Sequence, residues 1–374
     1  IAVRAGSDDD IAVDDLDVER SGVVGEGIER ASRREIEACV VPMAGDEARF
    51  HGALVQREAH VRTAVLDRPR PLRVPEHNHG VRTDLAAQLT AAEGDTERQM
   101  NVLREAHQSQ VFRLLAQDLA GILSVERLAD HLSLLADILL EHTLQLCWSQ
   151  LRGRHIEGPP RFAVIAYGKL GGKELGYASD LDIIFIYDDP DPAAPEVYAR
   201  FAQRLNNWLT SRTSAGQLFD TDLRLRPSGA SGLLVSSIEG FTRYQEGDAW
   251  IWEHQALTRA RFCAGDKAVG AAFESVRGKV LCRARDPAGL AAEVLAMRAK
   301  MHAAHPNASG LFDLKHDRGG MIDIEFIVQF LVLAHAHEHP AMIANIGNIA
   351  LLKVFADLGR RPAQVLPPRA VVLL

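Results

Sequence analysis

Several features that mark common protein classes are scarce or missing here. The four cysteines, Cys39, Cys147, Cys263 and Cys282, are widely scattered and form no CxxC pair. That excludes a disulfide-dense secreted scaffold and points to a reducing, cytoplasmic setting. No apolar run approaches the roughly 18 residues a membrane span requires, and the N-terminus lacks the basic-then-apolar layout of a signal peptide. A basic surplus is lacking too: 42 Lys and Arg stand against 50 Asp and Glu, for a net charge of -8. Proteins that track a polynucleotide carry a basic face, so neither a nucleic acid nor a membrane is expected as partner, and any bound nucleotide is expected to be small. The phosphate-binding fingerprints are also missing. Gly172-Lys173 is followed by Glu174 where a Walker loop needs Ser or Thr, and there is no GxGxxG. The chain begins at Ile1 without a methionine, and it reads as a piece of something longer.

What is present suits a globular protein of two or three domains, with 374 residues of which 47% are apolar. Residues 1–96 combine an acidic opening with the proline-studded "DRPRPLRVPEHNHG" and read as a linker, poorly ordered or partly helical. Over 97–158 the apolar spacing predicts two long packed helices: Val111, Leu114, Leu115 and Leu119 share one face, Gly121 breaks the run, Ser124 caps the next helix, and Leu128, Leu132, Leu135 and Leu139 form its stripe. Over 159–270 the period changes. "FAVIAY" and "LDIIFIY" are short β-rich runs, Val197, Phe201, Leu205 and Trp208 recur at helical spacing, and "DTDLRLRP" alternates strictly, which predicts a third strand with Asp222, Arg224 and Arg226 on one face. Ser236 with Glu239 has capping-box spacing for another helix, and 271–374 reads as a helical, truncated C-terminal domain. The fold class is therefore α+β: a small mixed β-sheet flanked by N-terminal helices and a C-terminal helical bundle.

The chemistry concentrates in "AYGKLGGKELGYASDLDIIFIYD". Asp180 and Asp182 are spaced i, i+2 at the mouth of an apolar strand and so present both carboxylates to one side. If the second and third strands are neighbours, Asp222 joins them. Each like-charge pair at about 4 Å then costs on the order of 4 kcal/mol at an effective dielectric of 20, and a cation must offset it. Hard oxygen donors suit Mg2+, and a pair of such ions can clamp the attacking and leaving oxygens of a displacement at phosphorus. Gly171 and Gly172 permit a tight turn whose amides can approach phosphate oxygens. Arg224 and Arg226 are placed either to hold Asp222 or to meet a triphosphate.

These residues resemble the nucleotidyltransferase superfamily of the DNA polymerase β type, which pairs a glycine turn with a DxD and a third carboxylate. "YGKLGGKELGYASDLDIIF", "DTDLRLRPSGASGLLVSS", "YQEGDAWIWEHQALTRAR" and "DLKHDRGGMIDIEFIVQFLVL" are together similar to the glutamine synthetase adenylyltransferase family. The "YQ" at Tyr244 and Gln245, "AWIWEHQAL" and "LGYASDLD" resemble its C-terminal, adenylylating domain. The resemblance implies Mg2+-dependent transfer of AMP from ATP to a tyrosine of glutamine synthetase, with the PII signalling protein as a regulatory partner. It implies Asp180, Asp182 and Asp222 as metal ligands, with Asp222 also placed to help deprotonate the phenol. Nucleotide contacts are expected from Gly171, Gly172, Ser179, Arg224, Arg226 and Lys315. The rival readings are phosphorolytic removal of AMP, uridylylation of PII, and a catalytically silent module that binds glutamine synthetase or PII.

Three further features carry less. Trp250 and Trp252 could stack an adenine, but helical aromatics are more often core. His335, His337 and His339 fall on different helical faces, which disfavours a zinc site. Asp323 and Glu325 sit where a helix start favours acids.

Overall fold

Two apolar runs set the centre of the fold, and the computed structural model describes it over residues 74–344 and 347–358. The expectations for residues 1–73, for Cys39 and for the tail after residue 358 lie outside the described residues. Strand β1 (Phe162–Ala166) and strand β2 (Leu181–Tyr187) pair antiparallel, with Val164 opposite Phe185. On the far side of β1 lies β5 (Arg261–Gly265), also antiparallel. Two short strands line the other edge of β2, both parallel to it: β3 (Thr221–Asp222) at its start and β4 (Val235–Ser237) at its end. The sheet is therefore mixed.

Every residue of β1 is buried, and β2 is buried except at Asp182, so both sheet faces must be covered. Phe162, Val164, Ile183 and Phe185 face a layer built from α1 (Val74–Ala91), α2 (Thr96–Leu119), α3 (Val125–Ser149) and α5 (Ala194–Thr210). Ile165, Ile184 and Ile186 face the second layer. That layer comprises α6 (Ile238–Gly247), α7 (Ile251–Leu257), α8 (Lys267–Leu281), α9 (Pro287–Ala304), α10 (Met321–His335) and α11 (Asn348–Asp357). The one-turn helix α4 (Gly168–Gly171) bridges β1 to the loop before β2. Full burial of each large aliphatic or phenyl side chain is worth about 1.5–3 kcal/mol, so this two-faced core dominates the stabilisation. The architecture is the expected α+β class, and among the described residues no helix is long and apolar enough to cross a membrane.

Local signals explain most boundaries. Asp95 caps α2 by accepting from Arg98 N at 2.9 Å, and Ser124 caps α3 through Arg127 N. In α5, Val197, Phe201, Leu205 and Trp208 form the buried stripe that the spacing predicts. The α6 cap is a correction. Ser237, not Ser236, accepts from Gly240 N at 3.0 Å, because Ser237 is the last residue of β4 and directly precedes the helix, one residue beyond Ser236. The third strand is corrected as well, since its ladder stops after Asp222. There the Asp222 carboxylate takes the N–H of Arg224 at 2.8 Å and turns the chain.

One buried cation fixes the approach to β3. Arg104, on α2, is fully buried, and its guanidinium donates to the carbonyls of Met100, Trp208, Ser211 and Gly216 at 2.6–2.9 Å. Four carbonyl dipoles thus replace a carboxylate partner and tie α2 to the end of α5 and the turn that leads to Asp222.

Candidate active site

Residues at the entrance of β2 hold the acidic cluster by backbone bonds. Leu181 N donates to Asp220 O at 2.9 Å, and Tyr167 N donates to Asp182 O at 2.8 Å. The parallel register then sets Asp182 directly beside Asp222. Asp180 lies one residue ahead of the strand, exposed, while Asp182 and Asp222 are half-buried. One carboxylate oxygen from each of the three lies within 4.8 Å of the others, the only such His, Cys, Asp or Glu cluster able to hold a metal among the described residues. By strand parity Asp182 shares the face of Ile184 and Ile186, the face that the second helical layer covers.

The three carboxylates differ in proton affinity. Burial, and then the charges of Asp180 and Asp222, raise Asp182 to about 6, against a partial opposing pull from Arg259 and Lys169. Asp222 moves the other way. Hydrogen bonds from the Arg224 side chain hold its carboxyl below the usual range, helped by the Arg224 N–H, while burial opposes the shift. Arg224 Nε lies 2.8 and 3.0 Å from the two Asp222 oxygens, and its Nη2 donates to Oδ2. Arg224 thus makes the salt bridge to Asp222, one of the two roles open to it in the sequence.

Arg226 does not share that role. It donates to the carbonyls of Leu223, Ala230 and Gly232 at 2.8–3.2 Å and shapes the 227–232 loop. Ser179 accepts from Gly176 N at 3.0 Å and so closes the turn ahead of Asp180. Lys315 lies exposed on the turn before α10, its N–H bonded to Asp313 Oδ1 at 2.8 Å, and no described contact brings it to the three aspartates. Trp252 is half-buried, but Trp250 is 68% exposed, so the core reading fails there. Trp250 caps α7, and its N–H is held by Glu253 Oε2 at 2.9 Å.

The glycines work differently from the expectation. The N–H groups of Gly171 and Gly172 donate to Tyr167 O and Gly168 O at 2.8 and 3.0 Å, so they are spent inside α4 and are not free for phosphate. Their missing Cβ atoms serve packing: a Cβ on Gly171 would sit 1.9 Å from Arg259 O, and one on Gly172 would sit 2.8 Å from Arg259 Nε. Gly168 is the glycine that faces the acids. It has φ 53°, and a Cβ there would lie 2.1 Å from Asp182 Oδ2. Sequence reasoning missed Gly168, although its place directly after an apolar strand was a usable signal. It also missed Glu174 and Arg259, whose ion pair joins segments 85 residues apart.

The family model described as glutamate-ammonia ligase adenylyltransferase matches residues 46–276. The chain is 61% identical over 285 residues to a bifunctional glutamine synthetase adenylyltransferase/adenylyl-removing enzyme of Aromatoleum aromaticum, covering 76% of this chain and 30% of that protein. It is 60% identical over 281 residues to one so named from Burkholderia mallei, covering 74% and 30% of the two chains. A third, from Nitrosomonas europaea, is 60% identical over 263 residues, covering 70% and 28%. The chain thus matches under a third of the length of these relatives.

Proposed function

The chain belongs to the glutamate-ammonia ligase adenylyltransferase family, and from that premise we propose that it transfers AMP from ATP to a tyrosine of glutamine synthetase and releases pyrophosphate. The observation that carries this reading is the convergence of Asp180, Asp182 and Asp222 within 4.8 Å. The donors fit Mg2+. All three are hard oxygens, and burial together with the charges of Asp180 and Asp222 raises the Asp182 carboxyl to about 6, an imbalance that a divalent cation would offset. When bound, the metal would neutralise charge on the triphosphate and on the oxygens that attack and leave phosphorus.

The chain's own residues divide the remaining work. Asp180, one residue ahead of β2, and Asp182 on β2 would hold the cation together with Asp222 on β3. Arg224 keeps Asp222 ionised, which suits a ligand. For Asp222 to take the proton of the incoming phenol as well, Arg224 must release one carboxylate oxygen, and its guanidinium is then free to meet the triphosphate. The phenol oxygen forms a bond to the α-phosphorus, the bond from that phosphorus to the bridging oxygen breaks, and pyrophosphate departs. Gly168 leaves room for the Asp182 carboxylate.

Within the family we assign this chain to the adenylylating half, on Tyr244, Gln245 and the Ala249–Leu257 run, with the catalytic unit over residues 159–270. A cytoplasmic location and regulation by PII belong to the same proposal. The test is incubation of the chain with Mg2+, α-labelled ATP and unmodified glutamine synthetase. Label on a glutamine synthetase tyrosine, with matching pyrophosphate, supports the reading. Label taken only from UTP onto PII, or release of AMP from modified glutamine synthetase by phosphate without forward transfer, overturns it.

A further inference from the structure

Arg259 lies two residues before β5 with its side chain 8% exposed, and it pairs with both Glu174 and Glu325. Its carbonyl oxygen occupies the space that a Cβ on Gly171 would need, and its guanidinium occupies the space beside Gly172. Its Nη2 donates to Glu174 on the loop that leads to β2, and its Nη1 donates to Glu325 Oε1 on α10 at 2.7 Å. Glu174 in turn accepts from Asn348 N at 2.6 Å and from Asn348 Nδ2 at 3.2 Å at the start of α11. One guanidinium therefore links the α4 turn, α10 and α11. The same turn presents Gly168 to Asp182 at a distance that leaves no slack.

We infer that Arg259 is a positioning residue of the proposed transfer: it locks the Gly168–Gly172 turn against Asp182 and couples that turn to the C-terminal helices. The inference rests on the reading of the three aspartates as a metal site. A fork with two donor nitrogens is needed, because the two carboxylates come from different elements and a lysine ammonium on its flexible stem cannot reproduce the planar geometry. A scaffolding role alone would change stability and leave cation binding untouched. A charge effect alone would have the opposite sign, since Arg259 is a cation acting on Asp182, and its removal should tighten cation binding.

The sign of the change in Mn2+ affinity therefore decides. Mn2+ binding to the full chain is measured by electron paramagnetic resonance for the wild type, Arg259→Gln, Arg259→Lys and Glu325→Gln, with thermal melts alongside. Positioning predicts Mn2+ affinity tenfold or more weaker in Arg259→Gln, and intermediate losses in Arg259→Lys and Glu325→Gln, which keep a positive charge at residue 259 but break the bridge. Arg259→Gln with unchanged or tighter Mn2+ binding overturns the inference. If that variant does not melt cooperatively, Arg259→Lys decides, since it keeps the charge and loses only the fork: unchanged or tighter Mn2+ binding there overturns the inference. A wild type that binds no Mn2+ overturns the metal reading itself, and with it the inference, whereas failure confined to the variants leaves that reading intact.

Discussion

Asp182 on β2 and Asp222 on β3 are register partners in a two-residue parallel ladder. The sheet itself therefore forces two like charges together, and Asp180 adds a third from the residue before the strand. Two carboxylates at about 4 Å cost on the order of 4 kcal/mol at an effective dielectric of 20. Arg224 offsets part of this at Asp222, and Asp182 is left carrying the imbalance.

Asp182→Asn keeps the shape and removes the repulsion. Without metal, the variant is expected to be more stable than the wild type at pH 8 by on the order of 1–3 kcal/mol, since each pKa unit is worth about 1.4 kcal/mol. Transfer should fall by at least about a thousandfold, the effect of losing several kcal/mol of charge stabilisation. Differential scanning calorimetry and the labelled-ATP assay check the two halves; a less stable variant that retains transfer contradicts both.

Cation binding should depend on pH with a sign fixed by Asp182. Its carboxyl holds a proton up to about pH 6, so a metal must displace that proton in acid, and affinity should drop up to about tenfold per unit below pH 6. The metal-free protein shows the linked effect. Its native state binds more protons than the unfolded chain between the ordinary carboxylate range and about 6, so this group's contribution to stability declines as pH rises through that window. Calorimetric titration with Mn2+ at pH 5 and pH 7.5 measures the first effect; equal affinities would contradict it.

The three glycines separate on substitution. Gly168→Ala places a Cβ 2.1 Å from Asp182 Oδ2, so the carboxylate must swing away, and cation affinity should fall with a stability loss of about 1–3 kcal/mol for the positive φ. Gly171→Ala meets backbone oxygens at 1.9 and 2.7 Å, which cannot move aside, so soluble folded protein should be lost. Gly172→Ala meets the far end of a flexible side chain and should fold. Expression, melting and Mn2+ titration of the three rank them.

Much of this was legible in the sequence, because burial on both faces leaves an unbroken apolar run. "FAVIAY" and "LDIIFIY" are both strands, and the stripes of α3 and α5 are continuous. Spacing also brought Asp180 and Asp182 to one place. Three things were hidden. The alternation in "DTDLRLRP" looked like a long strand, but the Asp222 side chain competes for the Arg224 N–H and ends the ladder. The Gly171-Gly172 turn suggested an anion cradle, while its amides close a helical turn and its empty space belongs to Arg259. Arg259, Glu174, Glu325 and Asn348 gather from segments far apart in the chain, and local periodicity carries no trace of such a network.

Arg224 is 79% exposed while bound to Asp222, so it competes with a cation for the same oxygens. Arg224→Gln should leave Mn2+ affinity unchanged or tighter. In the transfer assay the same variant should raise KM for ATP about tenfold or more, as expected for loss of a charge-assisted contact to phosphate. Weaker Mn2+ binding together with an unchanged KM would mean that Arg224 only holds Asp222 in place.

The proposed transfer depends on one cation site shared by three aspartates. Crystals of the chain grown with Mn2+ and a non-hydrolysable ATP analogue would give an anomalous peak at the site. The peak is expected within about 2.0–2.3 Å of oxygens from Asp180, Asp182 and Asp222, with analogue phosphate oxygens completing the shell. A peak elsewhere, or an analogue bound with no ion among those three carboxylates, would contradict it.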